Sequence, residues 1–294
     1  MRREIVKTSA KKQSQFKEFW RIFFQNKPAT VGLVLVVLLL LMVIFAEQIV
    51  PYELAIEQHI TVEDRLQPPS AEHPFGTDHV GRDMFARIVH GGRVSLTVGF
   101  IPVIISLIGG MLLGACAAYF GKTVENVIMR FCDVFACIPG TLLTLSFAAV
   151  LGAGLDNMMV ALTITAIPGA TRLVRALILN IVESDYIEAA KMCGTSDFQI
   201  MIRHILPNAM GPLILSLVSS IAGTVMMGAG LSFLGMGVQP PQPEWGYMLS
   251  ESRQFMYRAP HMFIVPGIFI MLAILSLNLA GDGLRDALDP KLRR

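Results

Sequence analysis

The sequence predicts an all-α membrane protein with six transmembrane helices. Its 294 residues are 53% hydrophobic and only 16% charged, and its mean hydropathy is +0.58. A soluble domain of this length has too much surface to cover with so few charges. The apolar residues gather in six runs, each near the ~20 residues that cross a hydrocarbon core of about 30 Å. The net charge of +2 gives no indication of nucleic-acid binding.

The first apolar run, 31–50, carries one charge, Glu47, and follows a basic segment. We expect a retained first transmembrane helix, because the run exceeds a signal-peptide core and no small-x-small cleavage site follows. Residues 1–30 then form the N-terminal segment. Residues 15–27 place aromatic side chains close to one helical face: Phe16, Trp20, Phe23 and Phe24. That pattern is typical of a helix lying in the membrane interface.

Five further apolar runs complete the six predicted spans: 94–119, 127–151, 158–178, 208–233 and 261–281. Each contains a proline, which packed membrane helices tolerate because their neighbours satisfy the freed carbonyls. Gly110 and Gly114 are one turn apart, and this spacing predicts close helix packing. Residues 51–93 become a loop, 94–283 the main membrane domain and 284–294 a tail.

The distribution of cations predicts the orientation of these spans. With six spans, 18 of the 24 lysines and arginines, including all eight lysines, fall on the side that holds both termini. The positive-inside rule places that side in the cytoplasm. The loop 51–93 is then extracytoplasmic and the loop 172–207 is cytoplasmic.

A polar stretch inside the 172–207 loop predicts two short helices joined by a tight turn. Asp185 and Glu188 have capping-box spacing, which predicts a helix over 186–193 that begins at an Asp185 N-cap. Gly194 can take the left-handed conformation that ends such a helix.

The second short helix is predicted over 198–206. Thr195, Ser196 and Asp197 are its N-cap candidates, and Pro207 is expected to stop it before the next span begins.

Small apolar side chains next to Glu188 indicate what the loop does. Ala189 and Ala190 gain little on a surface without a partner, whereas another protein's groove can seat closely on them. The alternative that the loop only caps the bundle stays open on composition alone.

The same residues carry a resemblance to a known family. EAAKMCG at 188–194, followed by RHILPN at 203–208, resembles the EAA loop of the membrane subunits of ATP-binding-cassette importers. The matching positions are Glu188, Ala189, Ala190, Gly194, Leu206 and Pro207. His204 departs from the broader pattern, which usually has an aliphatic residue there, but is similar to the peptide-transport branch.

Two more stretches, 73–96 and 232–253, resemble the dipeptide, oligopeptide and nickel permeases. The resemblance covers nearly all of 73–290 and is closest to the C-type subunit, whereas residues 1–72 match only in layout. It implies a five-helix core within 94–283, like that of type I importer permeases. It also implies a transport function: an importer permease for di- or oligopeptides in the bacterial cytoplasmic membrane.

The resemblance further implies partners and roles. The partners are a homologous permease, two cytoplasmic ATPase subunits, an extracytoplasmic substrate-binding protein and membrane lipid. ATP and Mg would be bound by the ATPase subunits, so that this chain would be no enzyme and carry no cofactor. In that family the loop docks into the ATPase. Glu188 would offer a charge there, Ala189 close seating and Gly194 the angle between the helices, while residues 195–197 would touch the ATPase or only cap.

Other classes of protein make different predictions. A nickel importer of the same family shares these segments. A secondary transporter driven by an ion gradient would need paired charges at the membrane midplane, and a passive scaffold would tolerate substitutions in the loop.

Several local patterns are better explained by structure than by chemistry. The sequence GKT at 121–123 lacks the first glycine of a phosphate-binding loop, since that position is Cys116. Asp133 is the one acidic residue set within a predicted span, and we expect it to pair with Arg130 three residues earlier. Candidate nickel or zinc ligands occur near the start of the second span: His73, Asp78, His79, Asp83 and His90. Because this segment fits the family pattern whatever the substrate, we expect no metal and a structural role at the pathway mouth for Gly76, Gly81, Arg82 and Asp83.

Overall fold

The computed structural model describes residues 17–56 and 64–288, and its secondary structure is helical apart from one bridge, between Thr77 and Asp83, within those ranges. The first helices, in chain order, are α1 (17–25), α2 (Lys27–Ile44), α3 (Ala46–Ile49), α4 (Glu53–Ile56), α5 (Met84–Tyr119), α6 (Lys122–Ala136) and α7 (Gly140–Leu151). The remaining helices are α8 (Leu155–Val182), α9 (Asp185–Met192), α10 (Asp197–Ile200), α11 (Leu206–Phe233), α12 (Trp245–Ser252) and α13 (His261–Leu288). A π-helical turn, Met201–Ile205, joins α10 to α11.

Five helical stretches in the described part of the chain are long and apolar enough to cross a membrane: α2, α5, α8, α10 continued through the π turn into α11, and α13. The helices α6 and α7 count as a sixth span if the pair is taken as one. The predicted all-helical membrane fold is therefore confirmed, but the span 127–151 is not one straight helix. α6 and α7 are bent by 86°, because Pro139 lacks an N–H donor and its ring disfavours the helical conformation of the residue before it.

The second span begins earlier than predicted. α5 starts at Met84, so residues 84–93 of the predicted 51–93 loop are helical. Asp83 caps this helix by accepting a hydrogen bond from the Ala86 N–H at 2.7 Å. The first turns of α5 have low hydropathy because they contain Arg87, His90 and Arg93, and this predicted a loop. The fold nevertheless buries two of these side chains, Arg87 and His90.

The helix pair α5 and α8 forms the centre of the bundle. A Cβ atom at Gly110 would lie 2.5 Å from the Cβ of Ala170, and one at Gly114 would lie 2.7 Å from the Thr171 carbonyl oxygen. Real side chains do not approach so closely, so glycine is required for the two backbones to touch. The packing role predicted for these two glycines is confirmed.

The N-terminal helix α1 packs on the protein as well as offering an apolar surface. Phe23 is buried against Ala29 and Ala287 at the ends of α2 and α13, whereas Phe24 is 53% exposed. The predicted interfacial face is thus divided, because Phe23 belongs to a small core. Phe16, which was predicted to share that face, lies outside the described residues.

Candidate functional site

The polar stretch singled out in the sequence, residues 184–207, forms one compact segment that runs from the end of α8 into the first residues of α11. Its inner side is apolar: Ile187, Ile200 and Ile205 are fully buried. They pack with Val174 and Ile178 of α8 in one core cluster. This apolar packing fixes the segment to α8.

The first helix of the segment begins differently from the prediction. Its N-cap is Ser184, and Asp185 and Glu188 both lie in the first turn. The predicted capping box at Asp185 is wrong, because the chain leaves α8 only at Glu183 and one further residue is enough to start α9. The Ser184 hydroxyl donates to the Ile181 carbonyl. No side chain caps the helix, and the two carboxylates instead favour its positive N-terminal end.

The turn after α9 agrees with the prediction. Gly194 has φ +75°. The Gly194 N–H donates to the Lys191 carbonyl at 2.9 Å, and the Thr195 N–H donates to the Ala190 carbonyl at 3.2 Å. This is the Schellman pattern of hydrogen bonds, which needs a left-handed residue at the position of Gly194.

The second helix is capped by Ser196, one of the three predicted candidates, whose hydroxyl accepts from the Gln199 N–H at 3.4 Å. Asp197 has a different partner. Its carboxylate accepts a 2.6 Å hydrogen bond from the Tyr119 hydroxyl at the end of α5, and the Lys191 ammonium lies 4.8 Å from the centre of the Tyr119 ring. Tyr119 therefore joins both short helices to the longest helix of the bundle.

We predicted that Pro207 stops the second helix, and this prediction is wrong. The helical path runs from Asp197 to Phe233 without a break, because the π turn places the Leu206 N–H on the Met201 carbonyl, five residues back. Pro207 then occupies the start of α11, where a missing N–H costs little. Leu206 packs beside the buried isoleucines of the segment.

The outer side of the segment is exposed and partly apolar. Glu188 and Ala189 are exposed, whereas Ala190 is half-buried and packs inward. Met192 is 85% exposed and Phe198 is 70% exposed. Neither residue was predicted as part of the site, although large apolar side chains within a polar loop were the available signal.

The opposite end of the bundle holds a charge cluster, formed by Asp78, Arg82, Arg87 and Glu251. Arg82 donates from Nε to Asp78 Oδ2 at 2.6 Å and from an NH2 group to Glu251 Oε1 at 2.9 Å. Arg87 also bonds both acids, reaching Glu251 Oε2 at 2.6 Å. All four side chains are at most 11% exposed. Two cations and two anions thus neutralise each other, and Glu251 is more than 160 residues away from both arginines in the sequence.

The charges of this cluster change the ionisation of Asp78. Burial alone would raise the pKa of the Asp78 carboxyl, but the Arg87 and Arg82 guanidinium groups outweigh it and hold that pKa below its ordinary value. The carboxylate stays ionised, as a buried ion-pair network requires.

The five candidate metal ligands are not brought together. His73 Nδ1 lies 2.7 Å from Asp83 Oδ2, and Asp78 is occupied by arginines. His90 Nε2 lies 2.8 Å from the Val50 carbonyl oxygen. Within residues 17–56 and 64–288, no group of three such side chains is arranged to hold a metal ion. Gly76 and Gly81 have φ of +75° and +91°, so the segment is a chain of tight turns.

Another carboxylate near this end, Glu244, is buried. It caps α12 by accepting from the Gly246 and Tyr247 N–H groups at 2.9 and 2.8 Å, and from the Ser95 hydroxyl at 2.8 Å. Burial raises the pKa of Glu244 above its ordinary value in spite of these donors. The residue is a structural cap.

Asp133 forms an ion pair, but not with Arg130 as we had predicted. Its Oδ1 lies 3.1 Å from an NH2 group of Arg172 on α8, and Arg172 also donates to the Cys132 carbonyl at 2.8 Å. The tertiary partner wins because α6 packs across α8 and presents the carboxylate to it.

Family models match both parts of the chain. One, described as binding-protein-dependent transport system inner membrane component, matches residues 106–294. Another, described as the N-terminal TM domain of oligopeptide transport permease C, matches residues 14–69.

Similar proteins span nearly the whole chain. The dipeptide transport system permease protein DppC of Alkalihalophilus pseudofirmus is 42% identical over 280 residues, which are 95% of this chain and 91% of that protein. The glutathione transport system permease protein GsiD of Pectobacterium atrosepticum is 40% identical over 281 residues, with 96% and 93% covered. The di/tripeptide transport system permease protein DppC of Pseudomonas aeruginosa is 40% identical over 284 residues, with 95% and 93% covered.

A solved structure shares the fold. A chain of a structure described as inward facing conformations of the MetNI methionine ABC transporter aligns with this chain at a TM-score of 0.57 and 20% sequence identity. The alignment covers 70% of this chain and 98% of the matched chain. At that identity the likeness speaks to the architecture alone.

Proposed function

The chain belongs to the dipeptide and oligopeptide C-type permeases of binding-protein-dependent ATP-binding-cassette importers, and we propose that it carries di- or oligopeptides through an importer driven by ATPases that dock on residues 184–207. As a member of that family it is a multi-pass inner-membrane transport subunit that works with an ATPase and a substrate-binding protein. The proposal concerns its substrate, its coupling surface and its assembly.

One observation carries the coupling proposal: the 184–207 segment is rigid on one side and open on the other. Ile187, Ile200 and Ile205 fix it to the spans, while Met192 and Phe198 are largely exposed. Exposed apolar residues within a charged surface are typical of a protein interface. An ATPase that binds the outer side would therefore transmit its own conformational change to α5, α8 and α11.

Each residue of the surface has a specific part in this proposal. Glu188 offers a charge to a cation on the ATPase, and Ala189 lets the ATPase surface approach closely. Gly194 sets the angle between α9 and α10. Asp197 holds α10 to Tyr119, so its role is to position the segment.

ATP binding and hydrolysis, with Mg, take place on the ATPase subunits in this proposal, and this chain holds no cofactor. A homologous permease completes the pathway, and the 184–207 segment faces the cytoplasm together with both termini. The distribution of lysine and arginine supports this orientation.

A mainly apolar cavity between the spans, with hydroxyl groups on its wall, supports a peptide as the cargo. It has a volume of about 240 Å³ and lies between α5, α8 and α11. Four hydroxyl side chains line it: Ser106, Ser216, Ser220 and Thr224. Each donates its hydrogen to a carbonyl of its own helix, which leaves oxygen lone pairs to accept from peptide N–H groups. Names of relatives that transport dipeptides and glutathione agree with this cargo.

The coupling proposal is tested with the exposed thiol of Cys193. After replacement of Cys116, Cys132 and Cys137, membranes are treated with a short bifunctional thiol reagent, and adducts are identified by mass spectrometry. A link from Cys193 to an ATPase subunit is expected. Adducts confined to membrane-embedded neighbours or to a second copy of this chain contradict the proposal.

A charge reversal supplies the functional half of that test. In the reconstituted importer, Glu188→Lys is expected to abolish ATP-dependent peptide uptake while the protein stays in the membrane. Glu183→Lys is the matched control, because Glu183 is another exposed carboxylate, which ends α8. Normal uptake by Glu188→Lys, or uptake that a protonophore abolishes without ATP, contradicts the coupling role.

A further inference from the structure

A second cavity, of about 190 Å³, lies near the charge cluster, at the end of the bundle opposite residues 184–207. Its walls come from three separate parts of the chain: α3 with the turn after it, the outer part of α5, and the loop before α12. The side chains that matter here are Glu47, Tyr52, His90, Arg93 and Gln242. Two opposite charges, Arg93 and Glu47, meet in this cavity without being buried.

The two charged residues of this cavity are only loosely paired. Arg93 and Glu47 approach to 3.7 Å, and their side chains are 48% and 59% exposed. That distance is longer than a hydrogen bond, and an exposed pair of this kind contributes about 0–1 kcal/mol. A ligand can therefore separate the two groups at little cost.

One wall of the cavity is rigid. His90 is buried, and its Nε2 lies 2.8 Å from the Val50 carbonyl oxygen, a hydrogen bond that fixes the ring. The ring of Tyr52 meets the ring of His90 edge-on, with 5.1 Å between centres. The loose charge pair thus stands beside a wall that holds its shape.

We propose that this cavity receives the charged termini of the transported peptide, with Arg93 binding the carboxylate and Glu47 binding the ammonium. A guanidinium has five N–H donors and can bind a carboxylate at two points. The inference rests on the proposed function, since it assigns a receiving site to the peptide that the importer carries. It does not need a sequence-specific pocket, because both termini are common to peptides of any sequence.

The first test measures tripeptide uptake per ATP hydrolysed. The complete importer is reconstituted in vesicles of phosphatidylcholine and phosphatidylglycerol and is given binding protein loaded with trialanine. Arg93→Gln is expected to lower uptake about tenfold, which is the loss of one charge-assisted contact. Arg93→Lys should retain most of the uptake, and Arg258→Gln, an exposed arginine at the same end of the bundle, should not change it.

The outcomes of this test separate the two proposals. If the unsubstituted importer shows no ATP-driven uptake, the proposed function fails. If it transports trialanine and Arg93→Gln transports equally well, only the receiving site is overturned.

The second test observes the cavity itself. Gln242→Cys is introduced into the importer that lacks its native cysteines, and the rate of labelling by a small aqueous thiol reagent is measured without ATP. Trialanine is expected to slow labelling severalfold, whereas N-acetyl trialanine amide should not, and Arg93→Gln should remove the protection. Labelling that trialanine leaves unchanged, but that phosphatidylethanolamine vesicles slow by themselves, would identify a lipid headgroup as the occupant and overturn the proposal.

Discussion

At one end of the bundle, four charged side chains are buried and form ion pairs with one another, whereas at the other end the charged side chains of residues 184–207 are largely exposed. In the charge cluster, Arg82 and Arg87 each bond both Asp78 and Glu251. In the 184–207 segment, Glu188 is exposed on the outer side of α9. Buried charges that pair with one another fix a structure, and exposed charges leave capacity for a partner.

This difference indicates that the 184–207 end of the bundle is the end on which an ATPase can dock. The charge cluster ties the turns at 76–83 to α5 and α12, so that it resists deformation. The 184–207 segment is also fixed on its inner side, through isoleucine packing. On its outer side, the side chains of Glu188, Met192 and Phe198 are exposed. We therefore expect substitutions at the cluster to change stability and substitutions at the segment to change coupling.

The largest effect is expected for Arg87→Met. This change leaves Asp78 and Glu251 buried with one cation between them, and an uncompensated buried charge costs about 3–5 kcal/mol. The free energy of unfolding in detergent should fall by that amount, measured by thermal or chaotrope denaturation.

Arg258→Met is the control, because Arg258 is an exposed arginine near the same end, and its loss should be within about 0.5 kcal/mol. Equal stability of the two variants would show that the cluster does not carry the rigidity of this end.

The second largest effect is expected for Gly194→Val. A β-branched residue at φ +75° costs on the order of 1–3 kcal/mol of local strain, which the turn relieves by changing the angle between α9 and α10. ATP-dependent uptake should be lost while ATP hydrolysis continues.

Gly194→Asn is the matched control, since asparagine tolerates the left-handed conformation and a Cβ atom at this position meets nothing within 4 Å. Loss of uptake in both variants would show that the glycine's small size, and not its backbone conformation, is what the ATPase needs.

Local rules recovered much of the 184–207 segment from the sequence. Gly194 and Ser196 have the predicted roles because a turn and an N-cap depend on adjacent residues alone. Pro207 was misjudged, because a π turn shifted the hydrogen-bond register so that the proline fell at a helix start.

Long-range pairs could not be predicted in the same way. The contact between Arg82 and Glu251 joins residues 169 positions apart, and Asp133 finds Arg172 across 39 positions. Sequence spacing favoured Arg130 for Asp133, since only a tertiary packing angle distinguishes the two arginines. The apolar runs predicted the membrane-spanning helices, including the pair α6 and α7 when it is taken as one span. They did not predict the start of α5 at Met84, because its first turns contain polar residues that the fold buries.

A smaller effect is expected for Tyr119→Phe, which removes the hydrogen bond to Asp197 and keeps the ring beneath Lys191. A hydrogen bond to a charged group contributes about 1.5–3 kcal/mol, less when it is exposed as here. The ratio of peptide uptake to ATP hydrolysis should fall severalfold with little change in the unfolding midpoint. Tyr257→Phe is the control, because the Tyr257 side chain is 94% exposed. An unchanged ratio for Tyr119→Phe would mean that the isoleucine packing alone connects the segment to the bundle.

The smallest effect is expected for Asp133→Asn in the isolated chain. The pair with Arg172 is exposed on both sides, with 55% and 40% of the two side chains accessible, and such pairs contribute about 0–1 kcal/mol. Arg172 also keeps its bond to the Cys132 carbonyl.

The same substitution measured in the assembled importer sharpens the comparison between buried and exposed charges. A loss there of about 3 kcal/mol, as for a buried pair, would show that the second permease covers Asp133 and that the pair becomes a buried contact on assembly. A loss that stays below about 1 kcal/mol would place Asp133 on a water-exposed surface of the complete importer.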